Sequence, residues 1–303
     1  MVNGIPFKLG IHPINWVGED VREHGADTPY EQILDEIAAL GLHGTEMGRK
    51  FPTDRAVLKE ELSKRDIGLV SQWKSVLFSD PAYRESELAA YREHAAFLKD
   101  MGSKVISTCE VGGSLHFDPR RSPNEKTIIP LDEAGWQSVA EGLNAAGQIA
   151  QEYGLKLAYH HHGGTVIESR QEIDRLMELT DSRYVFLLFD TGHAYYGGAD
   201  PLEVLRTHYN RIAYVHLKDI RQTVLDEARA DRSDFVTCIR KGVFTVPGDG
   251  GLDFAPIFKE LLERGYDGWA MLEGEQDPAL HPAYAYAKRS LAYIESLIPQ
   301  ESR

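Results

Sequence analysis

The residues most able to do chemistry stand at the ends of four apolar runs. Phe186-Leu187-Leu188-Phe189 runs into Asp190-Thr191-Gly192-His193, and Leu157-Ala158-Tyr159 runs into His160-His161-His162. Further along, Ala213-Tyr214-Val215 leads to His216-Leu217-Lys218-Asp219, and Trp269-Ala270-Met271-Leu272 leads to Glu273. An apolar stretch of strand length that stops at ionisable groups is how a buried parallel strand hands polar side chains to one rim of an α/β protein. Strand ends carrying His, Asp, His and Glu make up a ligand set for one divalent cation. Mixed imidazole and carboxylate donors suit Mn, Co, Fe, Zn or Mg, and the two imidazoles lean toward the transition metals. Any one of these residues is equally well explained by a local hydrogen bond. Their recurrence at successive strand ends is what favours a metal site.

Alternation along a strand sorts the candidates. His160 and His162 share one face and His161 takes the other, so His160 is expected as the ligand, His162 as a nearby polar contact for substrate, and His161 as an outer-face residue. The reverse assignment, with His162 as ligand, stays open. Asp190, His216 and Glu273 complete the metal set. His193 falls on the loop beyond Asp190, where an imidazole can contact substrate or shuttle a proton. Lys218 shares a face with His216. In a metal-lined cavity its ammonium form is disfavoured, which makes it a candidate acid or base; an ion pair with Asp219 or Glu46 is the structural alternative. Arg221, the strand-end Glu46, and the aromatics Trp16 and Trp73 are expected to serve or wall the same pocket.

Positioning these groups takes a repeating scaffold, and the chain supplies one. Lys8–Pro13 reads as a first strand, and Thr28-Pro29-Tyr30-Glu31 opens a helix with an N-cap, a proline and a capping-box glutamate. The unit then recurs: strands near His43–Met47, Gly68–Trp73, Lys104–Cys109 (ending in Glu110), the histidine triplet, Asp190, His216 and Gly268–Glu273, each followed by a helix. Helix starts stand at Asp54, Asp80-Pro81, Asp132, Ser169-Arg170-Gln171-Glu172, Asp200-Pro201, Asp253 and Pro282. Eight strands alternating with eight helices predict parallel strands with right-handed crossovers, closed as a single (β/α)8 TIM barrel over residues 1–303. A longer connection, 222–249, interrupts the rhythm and reads as a lid over the site or an arm toward a neighbouring subunit.

Composition narrows the function. Hydrophobic residues make up 42% of the 303, and no apolar run approaches the ~20 residues of a membrane span. The N-terminus has neither the basic nor the apolar region of a secretory signal, so a cytoplasmic location is expected. Cys109 and Cys238 are far apart and are expected as plain reduced thiols. A formal charge of −14 argues against nucleic acid as a partner and for a small ligand that is neutral or cationic, or whose charge a metal handles. Oligomeric state stays open, a homo-oligomer included.

The pair Asp190-x-x-His193, His216 26 residues after Asp190 (216 − 190), and Glu273 are similar to the xylose-isomerase-like superfamily of metal-dependent sugar isomerase and epimerase barrels. Within it, Gly44-Thr45-Glu46-Met47-Gly48-Arg49-Lys50-Phe51-Pro52, Phe244-Thr245-Val246-Pro247-Gly248-Asp249-Gly250 and Leu272-Glu273-Gly274-Glu275-Gln276-Asp277-Pro278 resemble the dehydratase branch of inositol catabolism, over nearly the full chain. His12-Pro13-Ile14-Asn15-Trp16 and Gly274 depart from that pattern. The resemblance implies a lyase that converts 2-keto-myo-inositol, or a close cyclic polyol ketone, to a 1,2-dione, with Mn or Co as metal. It further implies Glu273 or Lys218 as base and His193 or Lys218 as acid. The alternative within the same barrel is a keto-sugar or inosose isomerase or epimerase. Such epimerases work with carboxylates from strands five and eight, and here His160 stands where the strand-five carboxylate belongs. A repair endonuclease of the same fold is disfavoured by the acidic charge, and a catalytically silent sugar-binding protein by the complete ligand positions.

Overall fold

The computed structural model describes residues 5–122, 125 and 127–298. Its strands are β1 (Lys8–Ile11), β2 (Gly44–Glu46), β3 (Gly68–Ser71), β4 (Trp73–Val76), β5 (Val105–Glu110), β6 (Lys156–His160), β7 (Val185–Asp190), β8 (Ile212–Leu217), β9 (Asp219–Ile220), β10 (Phe244–Thr245) and β11 (Trp269–Leu272). The helices are α1 (Tyr30–Ala39), α2 (Arg55–Ser63), α3 (Arg84–Asp100), α4 (Glu133–Glu152), α5 (Arg170–Leu179), α6 (Thr191–Tyr196), α7 (Pro201–His208), α8 (Gln222–Ala230), α9 (Phe235–Lys241), α10 (Phe254–Glu263) and α11 (Ala283–Leu297). Two compact units are formed, Met1–Val70 with Val215–Arg303, and Ser71–Tyr214.

In the first unit β1 lies between β2 and β11, and β11 pairs in parallel with the last residues of β8. Its register sets Met271 against His216 and Leu272 against Leu217. The next step along brings Glu273 beside Lys218, and the Glu273 N–H donates to the Leu217 carbonyl. Because side chains alternate, His216, Lys218, Met271 and Glu273 share one face of this pair.

The second unit is the parallel ladder β4-β5-β6-β7, with Val76 opposite Glu110 and His160 opposite Leu188. β7, Val-Phe-Leu-Leu-Phe-Asp, is buried along nearly its whole length, as expected of a strand covered on both faces. Helices hold the ladders by apolar stripes. In α10 Phe254, Ile257, Phe258 and Leu261 repeat at helical spacing and are all buried.

Caps follow the sequence closely. Asp54, Asp132, Asp200 and Asp253 accept backbone N–H bonds at the starts of α2, α4, α7 and α10, and Ser169 with Glu172 forms the expected capping box on α5. Two expectations are corrected. The box expected at Thr28 does not form, because Pro29 is the cap of α1 and makes no side-chain hydrogen bond. The third strand is interrupted at Gln72, giving β3 and β4.

The 222–249 connection has secondary structure of its own. It builds α8 and α9, whose Leu225, Ala228, Phe235, Val236, Cys238 and Ile239 are buried, and returns as β10, antiparallel to β9 with Phe244 opposite Ile220. Among the described residues no helix is long and apolar enough to cross a membrane.

Candidate active site

The first unit gathers a buried polar cluster on the shared face of β8 and β11. His216 donates through Nε2 to Glu46 Oε1 at 2.6 Å, and its Nδ1 lies 2.6 Å from Glu273 Oε2. Lys218, fully buried, reaches Glu275 Oε2 at 2.6 Å and Glu273 Oε1 at 3.2 Å, with Nζ 5.2 Å from the centre of the Phe244 ring. His12 stands edge-on to His216 and 3.8 Å from Glu46. Burial alone would push the His216 imidazole down, but the carboxylates of Glu273 and Glu46 hold it up to about 10. For Glu273, burial works against ionisation and is outweighed by Lys218 and His216, which keep the carboxyl well below its ordinary range. Burial raises Glu275 well above that range, and raises Asp20, which is set against Glu275 and the charge of Lys218.

A second cluster lies at the ends of β6 and β7 in the other unit. Asp190 caps α6: its Oδ1 accepts the His193 N–H at 2.8 Å, while Oδ2 lies 3.5 Å from His160 Nε2 and 4.0 Å from His193 Nε2. The ligand atoms of His160, Asp190 and His193 all fall within 4.8 Å of one another. The rings of His162 and His193 stack with centroids 3.8 Å apart. His162 Nδ1 faces the Gly163 carbonyl at 2.9 Å, which assigns it the proton and makes Nε2 the acceptor; His193 Nδ1 accepts the Gly163 N–H, which puts that ring's proton on Nε2. Trp73 stands edge-on to both His160 and His162, and Phe117 edge-on to His162.

The candidates named from sequence thus divide between two clusters: Glu46, His216, Lys218 and Glu273 in one, Trp73, His160, His162, Asp190 and His193 in the other. Some details differ from the expectation. His193 sits in the first turn of a helix instead of on a loop. Lys218 pairs with Glu273 and Glu275, carboxylates not expected as its partners. His161 is fully buried and faces the Asp190 backbone N–H at 3.4 Å. Trp16 is buried with its indole N–H on Glu36 of α1. Arg221 spends its guanidinium on the Gly242 and Phe244 carbonyls, Thr245, Asp249 and Gln276, so it ties the end of the 222–249 segment to the β11 loop. Glu275 and Asp20 were not expected. The only sequence signals were the charge of Glu275 just past β11 and that of Asp20 in the loop after β1.

The chain was compared with known proteins. The family model described as xylose isomerase-like TIM barrel matches residues 34–297. Inosose dehydratase of Geobacillus kaustophilus (strain HTA426) is 50% identical over 97% of this chain and 95% of its own, and inosose dehydratase of Clostridium perfringens (strain ATCC 13124) is 45% identical over 95% and 96%. The chain belongs to the inosose dehydratase family of xylose isomerase-like TIM barrels. Its fold is therefore that barrel. A solved structure titled IOLI protein with a binding zinc atom agrees with it at a TM-score of 0.71 and 16% identity, over 97% of this chain and 100% of that one. That likeness bears on the fold.

The residues present suit a divalent cation. His160, Asp190 and His193 are all buried and bring their ligand atoms within 4.8 Å of one another. Two imidazole nitrogens and a carboxylate oxygen are a donor set that such ions accept.

One strand end serves a different purpose. Glu110 on β5 accepts from the Phe78 and Ser79 N–H groups, the Ser79 hydroxyl and the Gly112 N–H, locking two loops to the ladder. Gly112 must be glycine there, since a Cβ would fall 2.1 Å from Ser79 Oγ. Burial outweighs those donors and pushes the Glu110 carboxyl up to about 7. Between the ordinary carboxylate value and about 7 the folded chain binds this proton more tightly than the unfolded one, so stability is present below that window and lost as pH rises through it. Denaturant melts at pH 5.5 and 8 are expected to show a fall on the order of 1–3 kcal/mol that Glu110→Gln removes. Equal pH slopes in the two proteins would refute this assignment.

Proposed function

We propose that this chain is a metal-dependent hydro-lyase that removes water from inosose, 2-keto-myo-inositol, or a close cyclic polyol ketone, to give a 1,2-dione. The observation that carries the reading is identity of 50% over nearly the whole chain to an inosose dehydratase. The two buried clusters support it by supplying the acids, bases and donors that such a reaction needs.

His160, Asp190, His216 and Glu273 are proposed to hold one divalent ion, Mn or Co. When bound, the ion supplies Lewis acidity to the ketone, which acidifies the neighbouring C–H. Glu273 or Lys218 then takes that proton. His193, whose Nε2 carries a proton, or Lys218 donates one to the departing hydroxyl; water leaves, and the enol tautomerises to the dione. His162, Glu46 and Trp73 are proposed to contact the substrate. Trp16 and Arg221 are proposed to act behind them, since their polar groups are bonded to Glu36 and to the 242–276 loops.

An ultraviolet assay for the dione tests the reading on chelator-stripped protein. Adding Mn or Co is expected to restore dione formation, and Asp190→Asn is expected to lower it by about 10²-fold or more. Deuterium uptake from heavy water without dione would move the chain to isomerase or epimerase. Absence of both signals would overturn the substrate.

A further inference from the structure

His12 enters none of the steps proposed so far, yet its backbone and one ring nitrogen are both fixed. β1 pairs Ile11 with Thr45 of β2, and the next residue along each strand is His12 and Glu46. Their side chains therefore stand side by side on one face at the strand ends. The His12 N–H donates to the Leu272 carbonyl at 2.9 Å, and the Asn15 amide donates to the carbonyls of His12 and Leu272 at 2.8 and 3.1 Å. Asn15 fits there because residue 274 is glycine: a Cβ would fall 2.8 Å from Asn15 Oδ1. His12 Nδ1 accepts the Ile14 N–H at 2.9 Å, which leaves the ring one hydrogen to give, on Nε2. That nitrogen lies 3.8 Å from Glu46 Oε2, too far for a direct hydrogen bond, while Glu46 Oε1 is engaged by His216 at 2.6 Å.

We infer that His12 Nε2 and Glu46 Oε2 form a hydroxyl-binding subsite, in which the imidazole donates to one ring hydroxyl of the polyol and the carboxylate accepts that hydroxyl's hydrogen. A hydroxyl oxygen about 2.8 Å from each partner spans the 3.8 Å between them. A hydroxyl fits because it donates and accepts at one atom, whereas a ketone oxygen has no hydrogen for the carboxylate. The His12 side chain keeps 11% of its area exposed, so the donor is not sealed off, and Glu46 at 2% has little water to fall back on. Leaving such a pair unfilled is costly, which turns the contact into selectivity for rings that carry the hydroxyl. Capping alone does not account for the imidazole, since aspartate or asparagine caps a turn as well. The inference rests on the proposed polyol substrate and assigns the part of it that these two residues read.

His12→Asn separates the two roles, because it keeps an oxygen for the Ile14 N–H and removes the Nε2 donor. Binding of myo-inositol and of the monodeoxy-inositols is measured by calorimetry on the full chain, beside kcat and KM for 2-keto-myo-inositol and thermal melts. His12→Asn is expected to weaken myo-inositol binding and raise KM on the order of tenfold, with kcat changed less than about threefold. One monodeoxy ring is expected to bind wild type about tenfold more weakly than myo-inositol, and to bind wild type and His12→Asn alike. Added to Glu46→Gln, His12→Asn is expected to cost no more than about threefold further, since one hydroxyl serves both groups. His12→Gln, whose amide reaches the Nε2 position, is expected to hold affinity within about threefold and reports if the asparagine variant does not fold. A loss equal for every ring would overturn the inference, as would unchanged binding in His12→Asn or a wild type that binds no polyol ring. Ring-selective binding in a protein that forms no dione would keep the subsite and remove the dehydratase reading. Dione formation with equal KM in His12→Asn and wild type would do the opposite.

Discussion

Glutamine at position 273 is expected to lower kcat/KM for dione formation by about 10³-fold or more, the range seen when a positioned acid or base is lost, with loss of a charged ligand added. The substitution keeps the shape of the side chain and removes its charge. That charge is shared by His216 at 2.6 Å and Lys218 at 3.2 Å, both buried. Glu275 and Glu46 still face those two cations, so the fold is expected to survive with a lower melting temperature. Steady-state kinetics beside a Mn²⁺ titration would separate the two contributions. Activity within tenfold of wild type would remove Glu273 from the centre of the mechanism.

The largest expected effect on stability lies at Asp219. Its carboxylate accepts the N–H groups of Ile220, Gly248, Gly250 and Leu252, and so gathers the loop after β10 onto the end of β8. Gly250 approaches so closely that a Cβ would fall 2.3 Å from Asp219 Oδ1. Asp219→Ala strips an acceptor from all these donors at once. At roughly 1 kcal/mol for each N–H that water re-solvates only in part, a loss of about 3–5 kcal/mol in urea unfolding is expected. Amide exchange at Gly248 and Gly250 should accelerate by a similar free energy. A loss under about 1 kcal/mol would mean that the loop is held by Arg221 and Arg289 alone.

The ladder was legible because buried parallel strands write themselves as apolar runs, and the run at Leu187–Phe189 has no other good reading. Helix starts were legible where Asp or Ser caps them, and misread at Thr28, where proline took the cap position itself. The 222–249 segment hid two short helices and a two-residue strand, because elements of that length show too little periodicity to stand out. At the site, residues on strands obey alternation, which is why His216, Lys218 and Glu273 could be grouped. Glu275 lies past the strand on a left-handed turn, where alternation no longer applies. Arg221 shows the opposite failure: two residues beyond Asp219 it looks like a pocket residue, yet backbone carbonyls of its own loop claim it.

Asp190 carries a consequence for metal choice. One of its oxygens accepts the His193 N–H in the first turn of α6, which leaves the other as the better placed to meet a cation. Such a group binds through a single oxygen and arrives already oriented. Calcium gathers its six to eight oxygens partly through chelating carboxylates and gains least from this arrangement, whereas a smaller ion content with fewer, single-point ligands gains most. With Asp190 as a ligand, the helix cap would act as a filter by ionic size.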